Sequence, residues 1–174
     1  MKKGISILGT LLMFYAGCNS VPLETVKSVD LPRYMGKWYE IASFPNRFQK
    51  GCNCTTAEYE LTDENYVRVT NTCRKDSTGG KISQVVGKAF IVEGRNNGKL
   101  KVQFFWPFKG DYYIIDLSLD YDYAAVGNPG RKYLWILSRT PFMPDSVYNS
   151  ILNRVKDKGF DIKNLVKTNQ NCDQ

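Results

Sequence analysis

Gly36-Lys37-Trp38-Tyr39-Glu40 heads the first long apolar run after the leader, and Tyr133-Leu134-Trp135-Ile136-Leu137-Ser138-Arg139-Thr140-Pro141 ends the last one before a helix. Alone, a glycine two residues before a tryptophan is common core grammar. What lies between the two stretches decides the fold class. From Lys37 to Arg139 short runs rich in Val, Ile, Tyr, Phe and Thr are separated by Asp63-Glu64-Asn65, Ser77-Thr78-Gly79-Gly80, Asn96-Asn97-Gly98 and Asn128-Pro129-Gly130. Strand formers punctuated by turn formers predict an antiparallel meander.

The alternation inside the runs tells what the sheet encloses. In Ala57-Glu58-Tyr59-Glu60-Leu61 and Leu100-Lys101-Val102-Gln103-Phe104 the apolar side chains share one face and the polar ones the other, because successive strand residues point to opposite sides. A sheet with one dry face hides it between two layers or inside a closed barrel, and composition alone does not choose. One helix is predicted late. Pro144-Asp145 offers its N-terminus, Val147, Tyr148, Ile151, Leu152 and Val155 recur at helical spacing, and Gly159 stands where a C′ glycine would. The run from Phe160 to Lys167 adds a short strand.

Paired with the 133–141 block and a single amphipathic helix after it, the Gly36-x-Trp38 motif becomes specific, and the chain resembles the lipocalins. The resemblance is nearest to the bacterial outer-membrane lipoprotein lipocalins related to apolipoprotein D. It is carried by Arg33-Tyr34, Trp38-Tyr39-Glu40-Ile41-Ala42, Phe44-Pro45, Arg47-Phe48, Gly87-Lys88-Ala89, Tyr112, Ile114-Ile115 and the Leu134–Pro141 block. It implies an all-β fold, an eight-stranded antiparallel up-and-down barrel with one C-terminal α-helix on the outside and a ligand cavity at one end. It also implies that Gly36, Trp38 and Arg139 form a structural motif at the other end, the guanidinium lying across the indole, a contact worth roughly 0.5–2 kcal/mol.

The N-terminus gives an address. Met1-Lys2-Lys3 precedes an apolar run from Ile5 to Ala16, too short to span a bilayer core of about 30 Å. Ala16-Gly17-Cys18 resembles the lipobox of bacterial lipoproteins, although Tyr15 stands where leucine is usual. The reading is a lipoprotein signal peptide over 1–17, a lipidated Cys18, a tether over 18–30 containing Pro22, and a lipocalin domain over 31–174. Asn19 after the cysteine favours the outer membrane under the enterobacterial sorting rule.

Four cysteines remain after Cys18, an even number that in an exported chain favours two disulfides. A hairpin turning near Glu64 sets residue 73 opposite 54 or 55, so Cys52 and Cys54 can each reach Cys73 and the residues leave both pairings open. The resemblance of Cys54–Tyr59 to a segment of apolipoprotein D implies Cys54 with Cys172, and then Cys52 with Cys73. A four-cysteine metal site fits poorly, since Cys52-Asn53-Cys54 lacks the usual paired spacing, and no metal is expected.

The chain has no histidine, which excludes imidazole acid–base chemistry and His-dependent triads. Without Lys2 and Lys3 it keeps 22 basic against 17 acidic residues. That modest excess, with no basic run or nucleic-acid motif, suits an anionic surface or ligand better than nucleic acid. By strand parity Tyr59, Val85, Ala89, Val102, Phe104, Trp106 and Trp135 line the barrel, with Tyr112 and Tyr121 as polar handles. Arg47, Lys50, Arg74 and Lys75 would favour a phosphate or carboxylate head group if they lie at the mouth.

The expectation is a membrane-anchored carrier or scavenger of fatty acids or lysophospholipids in the cell envelope, not an enzyme, with no cofactor. Its partners are the lipid and the membrane; the oligomeric state is open, a homodimer included. The competing readings are a lipid-modifying enzyme, which would need a reactive thiol or carboxylate, and a structural envelope module with a filled barrel.

Overall fold

A computed structural model describes residues 21–172 except 93 and 95. Eight antiparallel strands follow one another: β1 (Gly36–Ser43), β2 (Cys52–Leu61), β3 (Val67–Lys75), β4 (Ile82–Ile91), β5 (Lys99–Phe105), β6 (Phe108–Leu117), β7 (Tyr123–Gly127) and β8 (Leu134–Ser138). Each pairs with the next, and β1 pairs with both β2 and β8, which closes the sheet into a barrel. Closure, rather than a two-layer sandwich, is how this chain hides its dry face and removes its edges. A two-residue strand, β9 (Val166–Lys167), adds to β1 at Ala42 and Ser43, beyond the part of β1 that β2 covers.

Residues paired across an antiparallel ladder share a face, so the register maps the interior. Val67, Ala89 and Val102 form one such row, Leu100 pairs with Tyr112, and Ile114, Val126 and Trp135 form another. With Trp38, Tyr59 and Leu137 these residues make the inner cluster. Irregularities at Ile41 in β1 and Ile115 in β6 shift the alternation, so that Ile41, Ala42 and Ile115 face outward. Gly87 permits a close approach inside: a Cβ there would come within 2.6 Å of the Phe104 ring.

The outward apolar set is covered by α2 (Asp145–Asp157). Its buried stripe is Tyr148, Ile151 and Val155, each side chain worth roughly 1.5–3 kcal/mol on leaving water. Pro144 stands at its N-cap position without a side-chain cap bond, and Asp145 supplies an acidic first turn. At the other end Gly159 (φ +86°) donates to Lys156 O and Phe160 N donates to Val155 O, a Schellman closure.

Residues 21–30 correct the expectation of a tether over 18–30. Leu23 joins the core beneath α2, Val29 is buried in the inner cluster, and Val26 N donates to Ile114 O. Apolar residues at 23, 26 and 29 bind the segment along the barrel as a strap. Residues 18–20, with the expected lipidation site Cys18 and the signal peptide, lie outside the described residues.

The two ends of the barrel differ. One carries the start of β1, the 62–66 and 118–122 turns and the short helix α1 (Leu31–Tyr34); the other carries the loops 44–51, 76–81, 106–107 and 128–133.

Candidate functional site

The closed end is built on Trp38. Its ring is fully buried, its Nε1 donates to Tyr34 O at 2.8 Å, and the Arg139 guanidinium lies 3.8 Å from its centroid. Arg139 donates to three backbone carbonyls, those of Tyr121 (3.2 Å), Lys37 (3.0 Å) and Arg33 (2.7 Å). One planar cation thus ties the 118–122 turn, β1 and α1 together, which a flexible ammonium could not do with the same fork. Desolvation lowers the Arg139 pKa. Gly36 sits beside it at φ +87°, a conformation that favours glycine.

Above Trp38 the floor of the lumen is a chain of tyrosines. Tyr112 Oη lies 2.8 Å from Tyr34 Oη and 2.8 Å from Tyr59 Oη. Burial raises all three: Tyr34 and Tyr112 stand well above 10, and Tyr59 is pushed up to about 12, with the Glu40 charge adding to its rise. A folded-state pKa above the unfolded value contributes stability that is complete below about pH 10 and is lost as pH rises toward 12. Spectrophotometric titration is therefore expected to show tyrosinate forming in two groups, exposed tyrosines first and this trio only with unfolding. A single transition near the ordinary value would contradict the buried trio.

Nearer the mouth the lumen holds a carboxylate. Glu40, buried, accepts from Ser43 Oγ (3.0 Å), Thr168 Oγ1 (2.6 Å) and Gln49 Nε2. The Gln49 side chain reaches from the 44–51 loop, and its Oε1 accepts from Trp135 Nε1 at 2.9 Å. Gln170 Nε2 donates to Glu40 O and Thr55 O, both at 2.8 Å, so the C-terminal segment fills the gap where β1 and β2 part. Cys54 is bonded to Cys172 and Cys52 to Cys73, with Cα separations of 6.1 and 5.5 Å. Among the described residues no group of acids or cysteines is placed to hold a metal ion.

The structure sorts the residues expected to line the barrel. Tyr59 and Ala89 are buried low in the lumen, and Val102, Phe104, Tyr112 and Trp135 pack partly buried against the same cluster. Val85 shares the inner face through its pairing with Asn71 and is 37% exposed nearer the mouth. Two placements differ from expectation. Trp106 is 86% exposed at the tip of the β5–β6 hairpin, because the ladder irregularity after Val102 and the turn at Trp106-Pro107 end the alternation that parity extended through it. Tyr121 belongs to the closed end: its hydroxyl accepts from Asp30 N and Arg33 stacks on its ring. Tyr34 and Glu40 carry the family resemblance without a site role in the sequence, and Gln49 carries neither. Glu40 was within reach, being two residues from Trp38 on one strand, whereas a loop glutamine and a tyrosine in a four-residue helix carry no periodic signal.

The barrel, its sealed floor and its outer helix match a known family: the description of a lipocalin-like domain fits residues 29–170. The chain belongs to the lipocalins. It is 37% identical to the outer membrane lipoprotein Blc of Vibrio cholerae over 88% of this chain and 91% of that protein. It is 40% identical to Blc of Escherichia coli K12 over 85% and 83%, and 39% identical to temperature-induced lipocalin-1 of Arabidopsis thaliana over 85% and 83%. Insecticyanin from the tobacco hornworm Manduca sexta superposes with a TM-score of 0.67 at 21% identity, covering 84% of each chain. Lobster apocrustacyanin A1 does so at 0.63 and 23%, covering 87% and 92%. These solved structures share the lipocalin fold. The bacterial relatives are named as outer membrane lipoproteins, which supports an envelope, outer-membrane location for this lipocalin.

Proposed function

We propose that this lipocalin holds a single-chain lipid, a fatty acid or lysophospholipid, in the upper half of its barrel, and carries or scavenges it in the envelope from an anchor at Cys18. The observation that carries the reading is the register. It sets Val85, Val102 and Trp135 on the inner face, where Phe104 also packs, above a floor sealed by Trp38 and the tyrosines. Each methylene that leaves water is worth roughly 0.8 kcal/mol, so a long acyl chain gains about 10 kcal/mol before ordering costs. The tyrosine trio has three hydroxyl protons and two internal bonds, which leaves one donor for a ligand oxygen. Binding is reversible and involves no covalent step. The four described cysteines are paired, and the Glu40 carboxylate in the lumen is engaged by three donors, which suits a binding site held together by its own hydrogen bonds.

Displacement of a fluorescent fatty acid tests the reading. Lysophospholipid is expected to compete for one site per chain, and Val85→Arg to weaken both ligands by about tenfold or more, since it sets a charge in the path of apolar contacts worth about 1.5–3 kcal/mol. Unchanged affinity in a folded Val85→Arg protein would count against a lumen site.

A further inference from the structure

We propose that the barrel docks mouth-down on an anionic phospholipid surface, with the loops of its open end as the contact. This extends the lipid-carrier reading and rests on it for what the mouth takes up and for the anchor at Cys18.

Three independent features meet at that end. The first is apolar. Trp106, Phe108 and Phe105 at the tip of the β5–β6 hairpin are 86%, 77% and 65% exposed, and Phe48 on the 44–51 loop is 61% exposed. In the strand order the two loops stand on opposite sides of the mouth. The Arg47 guanidinium lies 5.0 Å from the centroid of the Phe48 ring, yet all four rings stay mostly exposed; a lone exposed apolar residue needs no explanation, whereas a set gathered on one rim does. Tryptophan and phenylalanine suit the boundary between head groups and acyl chains.

The second feature is charge. The loops of the mouth and their flanks carry Arg47, Lys50, Arg74, Lys75, Lys81, Lys109, Arg131 and Lys132 against one acid, Asp76. The closed-end turns 62–66 and 118–122 carry Asp63, Glu64, Asp120 and Asp122 and no base, offset in part by Arg33, Lys37 and Arg139 at the same end. The barrel therefore has a basic mouth and acidic turns at its base, a polarity that a negative surface orients.

The third is where the chain leaves the barrel. The strap runs from the closed end, where Val29 N donates to Asn96 O, to the open end. There Arg131 of the 128–133 loop donates to Val21 O at 2.7 Å and to Lys158 O at 2.7 Å, clamping the strap to the end of α2. Cys18 is three residues before Val21, a reach of at most about 10 Å even fully extended. An anchor at Cys18 thus holds the mouth, not the floor, against the bilayer. A free tether of the length first read from the sequence would have let the barrel turn either way.

The test uses the mature protein purified from the envelope and added to vesicles of phosphatidylcholine with or without phosphatidylglycerol, their acyl chains brominated or not. Bromine quenches tryptophan on contact, and Trp106→Phe identifies its share against buried Trp38 and the inward Trp135. Quenching of Trp106 by brominated anionic vesicles is expected. At about fivefold per basic side chain lost from an anionic surface, Lys81→Glu with Lys132→Glu should lower the ratio of docked to undocked barrel by about twentyfold or more. Protein that sediments with anionic vesicles while Trp106 stays unquenched overturns the proposal, as does equal quenching in neutral vesicles, or a dimer that buries Trp106 without lipid. Fatty-acid displacement on the same samples separates the two readings. Docking lost with binding intact removes only the docking, and binding absent with docking intact removes only the carrier.

Discussion

Trp38→Ala is expected to lower the unfolding free energy by about 3–5 kcal/mol, the range for truncating a large buried aromatic. Volume is only part of the cost. Truncation leaves the Tyr34 carbonyl without its 2.8 Å donor and Arg139 without the ring it covers, and it undercuts Tyr34, whose ring centroid is 5.0 Å from that of Trp38. Because Tyr34 begins the hydroxyl chain to Tyr112 and Tyr59, the floor of the lumen loses its support together with the seal. Arg139→Lys is the informative partner variant. It keeps the charge but not the fork that serves three carbonyls, so it should be measurably destabilising by itself and add little in the Trp38→Ala background, where the two effects share one structure. Denaturant unfolding of the single and double variants checks this; a loss below about 1 kcal/mol for Trp38→Ala would mean that the floor is held elsewhere.

Removing the Cys54–Cys172 bond should cost about 4–5 kcal/mol, and removing Cys52–Cys73 about 3 kcal/mol, since chain-entropy stabilisation grows with the loop closed. The two bonds span 118 and 21 residues. The longer one also has a local duty. It pins the segment whose Thr168 and Gln170 hold Glu40 and bridge β1 to β2. Cys54→Ser with Cys172→Ser is therefore expected to speed amide exchange at position 54, whose N–H is bonded to Asn169 O at 2.8 Å in the native chain, and at Thr168, bonded to Ile41 O at 2.9 Å, with the β3–β4 hairpin unchanged. Equal losses for the two bonds would show that native-state contacts, not loop closure, set their contribution.

Periodicity made most of the barrel legible. Strand, turn and helix signals are local, and the inner face of Tyr59, Ala89, Val102 and Phe104 follows from alternation wherever the ladder is regular. It stops being legible where the ladder is not. The irregularity before Phe105 put Trp106 at a tip instead of on the wall, and the bulge at Ile41 sent two consecutive residues outward. Neither has a signature in a single sequence, because a bulge is a choice between registers that only the whole sheet decides. The strap was missed for another reason: three apolar residues spaced by three gain nothing until a barrel exists to receive them. The site was half legible. Wall residues announce themselves by parity, whereas Gln49 reaches the lumen from a loop and Tyr34 from a single helical turn, and their partners lie 86 and 78 residues away.

The central claim is that the lumen, and not the outer surface, holds one lipid per chain. Native mass spectrometry of the mature protein refolded with mixed envelope lipids tests it most directly. One retained fatty acid or lysophospholipid per chain, lost in Val85→Arg and kept in Lys81→Glu with Lys132→Glu, is the predicted result. A wild-type barrel that emerges empty, or that retains its lipid unchanged when Val85 becomes arginine, would contradict it.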